Sequence, residues 1–128
     1  MTIAHVPSEH WEQAQLVRWF SVKYRNRYPA DCLIATPNAG KRSFVVGKRM
    51  RQEGLRKGAL DLMLRIPSAG AHGLMIEMKR DGATRSEVTD EQFGDIGLCL
   101  SMGYAATWCA GHREAIAVIE AYLGGGGE

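Results

Sequence analysis

Three charged residues interrupt two apolar runs: Asp61 in Leu60-Asp61-Leu62-Met63-Leu64, and Glu77 and Lys79 in Leu74-Met75-Ile76-Glu77-Met78-Lys79. Each run has the length and apolar content of a strand buried on both faces, and residues 67–73 between them are turn formers. Side chains alternate along a strand, so Glu77 and Lys79 share a face, and adjacency of the two strands brings Asp61 to that pair. Carboxylates and an ammonium on apolar strands are costly to bury unless something requires them there. A divalent cation with oxygen ligands meets that requirement.

The surrounding elements can be read in order. Ser8 is an N-cap with Glu9 in the first turn, and the spacing predicts a helix to about Arg27 with an apolar stripe at Leu16, Val17, Phe20 and Tyr24. Glu12 lies at the edge of that stripe, flanked by Gln15 and Trp19, where a carboxylate can reach a site. Residues 32–36 read as a strand. The loop 37–43 follows, with Asn38, Lys41 and Arg42 as phosphate donors. A helix over 44–53 carries Lys48, Arg49 and Arg51 and stops at Gly54, after which Arg56 and Lys57 lead to the first charged strand. Residues 81–88 read as a polar loop. Thr89 and Gln92 form a capping box, opening a helix with Phe93, Ile96 and Leu100 at helical spacing that ends at Gly103. A strand over 104–109 and a helix over 112–123, packing through Ile116, Ile119 and Leu123, complete the chain. Residues 1–7 and 124–128 are expected to be flexible. The order α-β-α-β-β-α-β-α predicts an α/β fold, a central mixed sheet flanked by helices.

A chain of 128 residues is one domain's worth, and 45% hydrophobic with 23% charged residues is the composition of an ordinary soluble globular protein. The net charge of +2 conceals an asymmetry: 11 of the 16 Lys and Arg residues lie between Arg18 and Lys57, with only Asp31 and Glu53 as acids in that span. Such a distribution reads as a basic surface for a polyanion, or as a solvated basic face without a partner. Cys32, Cys99 and Cys109 sit in apolar surroundings without CxxC spacing and read as small core residues of a reduced protein. Neither a signal segment nor an apolar run of spanning length is present, so a cytoplasmic location and no membrane contact are expected. His10-Trp11-Glu12 lacks the PCxxC of zinc deaminases, and Gly40-Lys41 lacks the remainder of a P-loop.

Gly58-x-x-Asp61 followed by Glu77-x-Lys79 resembles the PD-(D/E)xK nuclease signature, and Glu12 on an earlier helix and Gln92 on a later one fit the same pattern. The order α-β-β-β-α-β is that superfamily's core once the helix near 44–53 is counted as an insertion and the C-terminal helix as an addition. More closely, the chain resembles VRR-NUC (virus-type replication-repair nuclease) domains of the small stand-alone kind found in phages and bacteria. The resemblance runs through Glu12-Gln13, Pro37-Asn38-Ala39-Gly40-Lys41-Arg42, Glu53-Gly54, Lys57-Gly58-Ala59-Leu60-Asp61, Gly73 to Arg80, Glu91-Gln92 and Gly103-Tyr104. Where the family usually has proline before the metal-binding aspartate, this chain has Leu60.

The resemblance implies a metal-dependent DNA endonuclease. Asp61, Glu77 and the backbone carbonyl of Met78 are then hard oxygen ligands for Mg²⁺ or Mn²⁺. Lys79 is expected to position the attacking water or stabilise the transition state. Glu12 is expected to bind metal directly or through water, or to hold a second ion, and Gln92 to orient Lys79 or the water. Gln92 is equally well explained by its capping box, and an ExK triplet alone is more often an exposed strand pair. Asn38, Lys41, Arg42, Lys48, Arg49, Arg56 and Lys57 are the candidate DNA contacts. Small members of the family look like Holliday junction resolvases, which implies a homodimer acting on branched DNA, since so small a chain cannot enclose a four-way junction alone. Trp11, Trp19 and Tyr24 are candidates for that interface or for the core. Flap cleavage is the alternative within the class, and a non-catalytic DNA-binding module the alternative outside it. A sugar or nucleotide hydrolase would leave Lys79 without a role.

Overall fold

The computed structural model describes residues 6–36 and 44–124, and all of their side chains except those of 44–47. Helix α1 (Glu9–Lys23) leads through a 3-10 turn (Ala30–Cys32) to β1 (Leu33–Ala35), then α2 (Phe44–Gln52), β2 (Leu62–Leu64) and β3 (Leu74–Lys79). A second 3-10 turn (Arg85–Glu87), α3 (Asp90–Ser101), β4 (Ala105–Ala110) and α4 (His112–Gly124) follow. The four strands form one mixed sheet in the order β1-β2-β3-β4, antiparallel across the first three and parallel between β3 and β4. This is the expected α/β architecture, with the PD-(D/E)xK order of elements. Among the described residues no helix is long and apolar enough to cross a membrane.

Strand alternation sorts β3 between the two layers. Ile76 and Met78 join the apolar core with Leu16 and Phe20 of α1 and Ile119 of α4. Glu77, on the other face, meets α3 through Gln92. Both faces are covered, which is why β3 reads as a nearly continuous apolar run. The β2–β3 hairpin turns at Ser68–Ala71, where Ala69 (φ 52°) and Gly70 (φ 81°) both adopt the left-handed conformation that a two-residue hairpin loop requires.

Several boundaries depart from the sequence reading. Helix α1 ends at Lys23 rather than near Arg27, because Arg25 to Arg27 offer no apolar side chain to the core and Pro29 disfavours helical geometry at Tyr28. Val17 lies outside the buried stripe and is 39% exposed. Cys32 closes a 3-10 turn instead of opening β1. Residues 81–88 contain a 3-10 turn held by Glu87, which accepts the Thr84 N–H and pairs with Arg80 at 2.8 Å. Helix α3 contains no fully buried residue, and Leu100 is exposed rather than part of a core stripe.

The largest departure concerns the first charged strand. The register that pairs Leu62 with Ile76 would set Leu60 opposite Met78, yet pairing stops at Leu62. The Met78 N–H donates to Asp61 Oδ2 at 2.9 Å, and the Leu60 carbonyl accepts the Thr36 hydroxyl. The aspartate side chain thus takes over a ladder partner's task and ends the strand one residue beyond itself.

Candidate metal-dependent active site

Asp61, Glu77, Lys79 and Gln92 come together at the junction of β2, β3 and the start of α3. Glu77 and Lys79 are buried, and Asp61 is partly so. Gln92 Nε2 donates to Glu77 Oε2 at 2.9 Å, and Lys79 Nζ lies 3.8 Å from the same oxygen. Glu77 Oε1 is buried with no hydrogen-bond partner, an orphan that folded proteins rarely leave. Burial, then the neighbouring charge of Asp61, push the Glu77 carboxyl up to about 9, against the opposing pull of Lys79.

This environment fits a divalent cation. Two carboxylates adjacent in a site that shields them from water repel each other when both are ionised, and one oxygen lacks any donor. A hard cation supplies the missing charge and the missing partner at once. Among the described residues no group of three His, Cys, Asp or Glu side chains is placed to hold a metal; the carboxylates that meet here are Asp61 and Glu77. The Met78 carbonyl belongs to the strand between Glu77 and Lys79.

Gln92 joins its two expected roles. Thr89 Oγ1 accepts the Gln92 N–H at 3.1 Å, and Gln92 Oε1 accepts the Thr89 N–H at 2.9 Å, which completes the capping box. The amide oxygen thus serves the helix while the amide nitrogen reaches Glu77. Its partner there is the Glu77 carboxylate, beside Lys79.

Glu12 departs from expectation. Its carboxylate is buried, but Oε1 accepts the His112 N–H at 2.8 Å and lies 2.6 Å from His112 Nδ1. It satisfies the first turn of α4, where backbone N–H groups lack intrahelical acceptors. Burial alone would raise its pKa, yet the hydrogen bonds from His112, with the charges of His112 and Arg113, hold it below the usual carboxylate value. The described contacts do not bring it into hydrogen-bond reach of Asp61, Glu77 or Lys79. The α1 carboxylate whose charge bears on Glu77 is Glu9, one turn earlier.

The candidate DNA contacts divide. Lys48, Arg49, Arg56 and Lys57 are exposed. Arg56 donates to the carbonyls of Arg51 and Leu55, at 2.9 and 3.3 Å, and Lys57 pairs with Glu91 at 3.3 Å across the solvent surface. Asn38, Lys41 and Arg42 lie outside the described residues. Of the aromatic candidates, Trp11 is 44% exposed and edge-on to His112, Trp19 is half-buried, and Tyr24 is buried against Phe20 and Tyr28.

No family model and no curated protein matches the chain. A solved structure of a "VRR_NUC domain protein" superposes with a TM-score of 0.74 at 25% sequence identity, covering 92% of this chain and 89% of that one. The chain therefore shares the fold of a VRR-NUC domain protein almost end to end, as its motifs implied.

Proposed function

We propose that this protein is a Mg²⁺- or Mn²⁺-dependent endonuclease that hydrolyses phosphodiester bonds in DNA. The observation that carries the reading is the Asp61–Glu77 pair, with its orphan Glu77 oxygen, on a fold shared with a VRR-NUC domain protein. Asp61 and Glu77, with the Met78 carbonyl, would hold the cation, which when bound supplies Lewis-acid polarisation of the phosphate and a more acidic water. Asp61 is oriented by the Met78 N–H and Glu77 by the Gln92 amide, so both ligands are aimed before any cation arrives. Lys79 is set beside Glu77, and its ammonium would stabilise charge that builds on the phosphate. Lys48, Arg49, Arg56 and Lys57 offer exposed charge to the DNA backbone.

Within that class we favour a homodimeric Holliday junction resolvase over a flap nuclease. The support is the resemblance of its motifs to the VRR-NUC domains that look like junction resolvases, and two facing sites on opposed strands require a second copy. Trp11 and the half-buried Trp19 keep free surface for that contact; Tyr24 is committed to the core.

The test is cleavage of a four-way junction, a 5′ flap, a duplex and a single strand in Mg²⁺, Mn²⁺ or EDTA, beside Glu77→Ala. Metal-dependent cutting that Glu77→Ala abolishes is expected, with paired symmetric nicks in the junction. No metal-dependent cutting of any substrate, or equal cutting by the variant, overturns the nuclease reading and leaves a DNA-binding module.

A further inference from the structure

The backbone that carries the Asp61 carboxylate is held at three atoms, and neither residue that holds it belongs to the expected site. Thr36 donates its hydroxyl to the Leu60 carbonyl and its N–H to the Asp61 carbonyl at 2.8 Å. On the other side, the Leu60 N–H donates to Asp95 Oδ2 at 3.1 Å. Leu60 is fully buried, so its N–H has no water to turn to, and a buried donor without an acceptor is costly. Asp95 stands three residues after Gln92 on α3, hence on the same face of that helix. The chain before Leu60 also meets α3: a Cβ on Gly58 would lie 2.5 Å from Glu91 Cβ and 2.7 Å from the Glu91 carbonyl carbon. One helix therefore touches both halves of the carboxylate pair, Glu77 through Gln92 and the Asp61 backbone through Asp95.

We propose that Asp95 is a positioning residue for the metal site, fixing Asp61 relative to Glu77 by accepting the Leu60 N–H. This inference rests on the metal-dependent reading above. It also accounts for a peculiarity of the sequence. A proline at position 60 would have no N–H and need no acceptor; leucine there creates a buried donor, and α3 supplies the carboxylate that answers it. Asp95 touches neither metal nor DNA in this role. Its effect passes through the peptide backbone to the distance between two ligands, to which metal sites are sensitive.

The role is tested by titrating Mn²⁺ into the DNA-free protein, following free ion by electron paramagnetic resonance, and recording Tm for each variant. Asp95→Ala is expected to weaken Mn²⁺ binding about tenfold, the order expected from one lost buried acceptor. Asp95→Asn keeps an oxygen acceptor and should stay within about threefold of the wild type. In a Leu60→Pro background, adding Asp95→Ala should change Mn²⁺ affinity by less than about twofold, because no donor remains to orphan. A merely structural Asp95 would instead lower Tm in both backgrounds without moving affinity. If the Leu60→Pro chain does not fold, the contrast between Asp95→Asn and Asp95→Ala decides. Wild-type protein that binds Mn²⁺ while Asp95→Ala binds it equally overturns this inference alone, as does an equal loss with and without proline at 60. Wild-type protein that binds no Mn²⁺ overturns the metal reading and this inference with it.

Discussion

Replacing Glu77 by glutamine should stabilise the metal-free protein while destroying its site. The folded environment raises the Glu77 carboxyl from the ordinary 4.5 to about 9, through burial and the neighbouring Asp61 charge. A group whose folded pKa is raised stabilises fully below its unfolded pKa, and that stability is lost as pH rises from 4.5 towards 9. Between 4.5 and pH 7 lie about 2.5 pH units, and at about 1.36 kcal/mol each this sets a ceiling of about 3 kcal/mol lost by the wild type at neutral pH. Relaxation of the site and water penetration reduce the figure to ~2 kcal/mol. Glutamine never ionises. Its oxygen can still accept from Gln92 Nε2, and its amide can donate to Asp61. Denaturant titrations in EDTA should therefore show Glu77→Gln more stable than wild type by ~2 kcal/mol at pH 7, about 8 °C in Tm, with the gap closing towards pH 4.5. Adding Mn²⁺ should stabilise only the wild type, by about 2.7 kcal/mol at a hundred times Kd. A gap of zero at pH 7, or one equally large at pH 5, would refute the electrostatic argument.

Two further substitutions probe how α3 is joined to the site. Gln92→Glu keeps the capping box, since glutamate serves at the third helical position, but replaces the donor to Glu77 with a third carboxylate. In EDTA it should cost about 1–2 kcal/mol at pH 8, recovered near pH 5 as the carboxyls protonate; a pH-independent cost would mean the helix cap had failed instead. Gly58→Ala forces a φ of +84° on an L-residue and drives its Cβ into Glu91, so a loss of ~2–4 kcal/mol in denaturant titration is expected, and a cost below about 1 kcal/mol would contradict the close approach.

The elements were legible because their signals are local. Ser8 and Thr89 cap the helices they were expected to cap, and Glu77 and Lys79 lie on the predicted strand. What escaped was decided by contacts distant in sequence. Glu12 was placed correctly at the edge of an apolar stripe, but its acceptor role depends on His112, a hundred residues away, where α4 begins. The shortened β2 could not be foreseen, because no local pattern tells a strand aspartate that its side chain will replace a backbone carbonyl. Asp95 carried no motif; its importance appears only when α3 lies against the fully buried Leu60. Gln92 shows the opposite limit. Its capping box was a complete local explanation, and so it concealed that one end of the amide remained free for the site.

These contrasts bear on which charges are functional. Burial alone does not discriminate, since Glu12, Glu77 and Lys79 are all buried. Satisfaction does. Glu12 receives an N–H and a ring nitrogen from His112, and its pKa falls in consequence. Asp61 receives the Met78 N–H. Glu77 receives one donor, keeps one buried oxygen without a partner, and is pushed towards protonation by its neighbour. A carboxylate recruited only to hold the fold would be relieved of that strain, as Glu12 is, by an element that needs an acceptor. Glu77 is instead held in place by a helix cap, beside a second carboxylate, with its free oxygen turned inward. On the proposed reading, stability is forgone at Glu77 where a bound cation would return it, so metal binding and folding would be linked at this site.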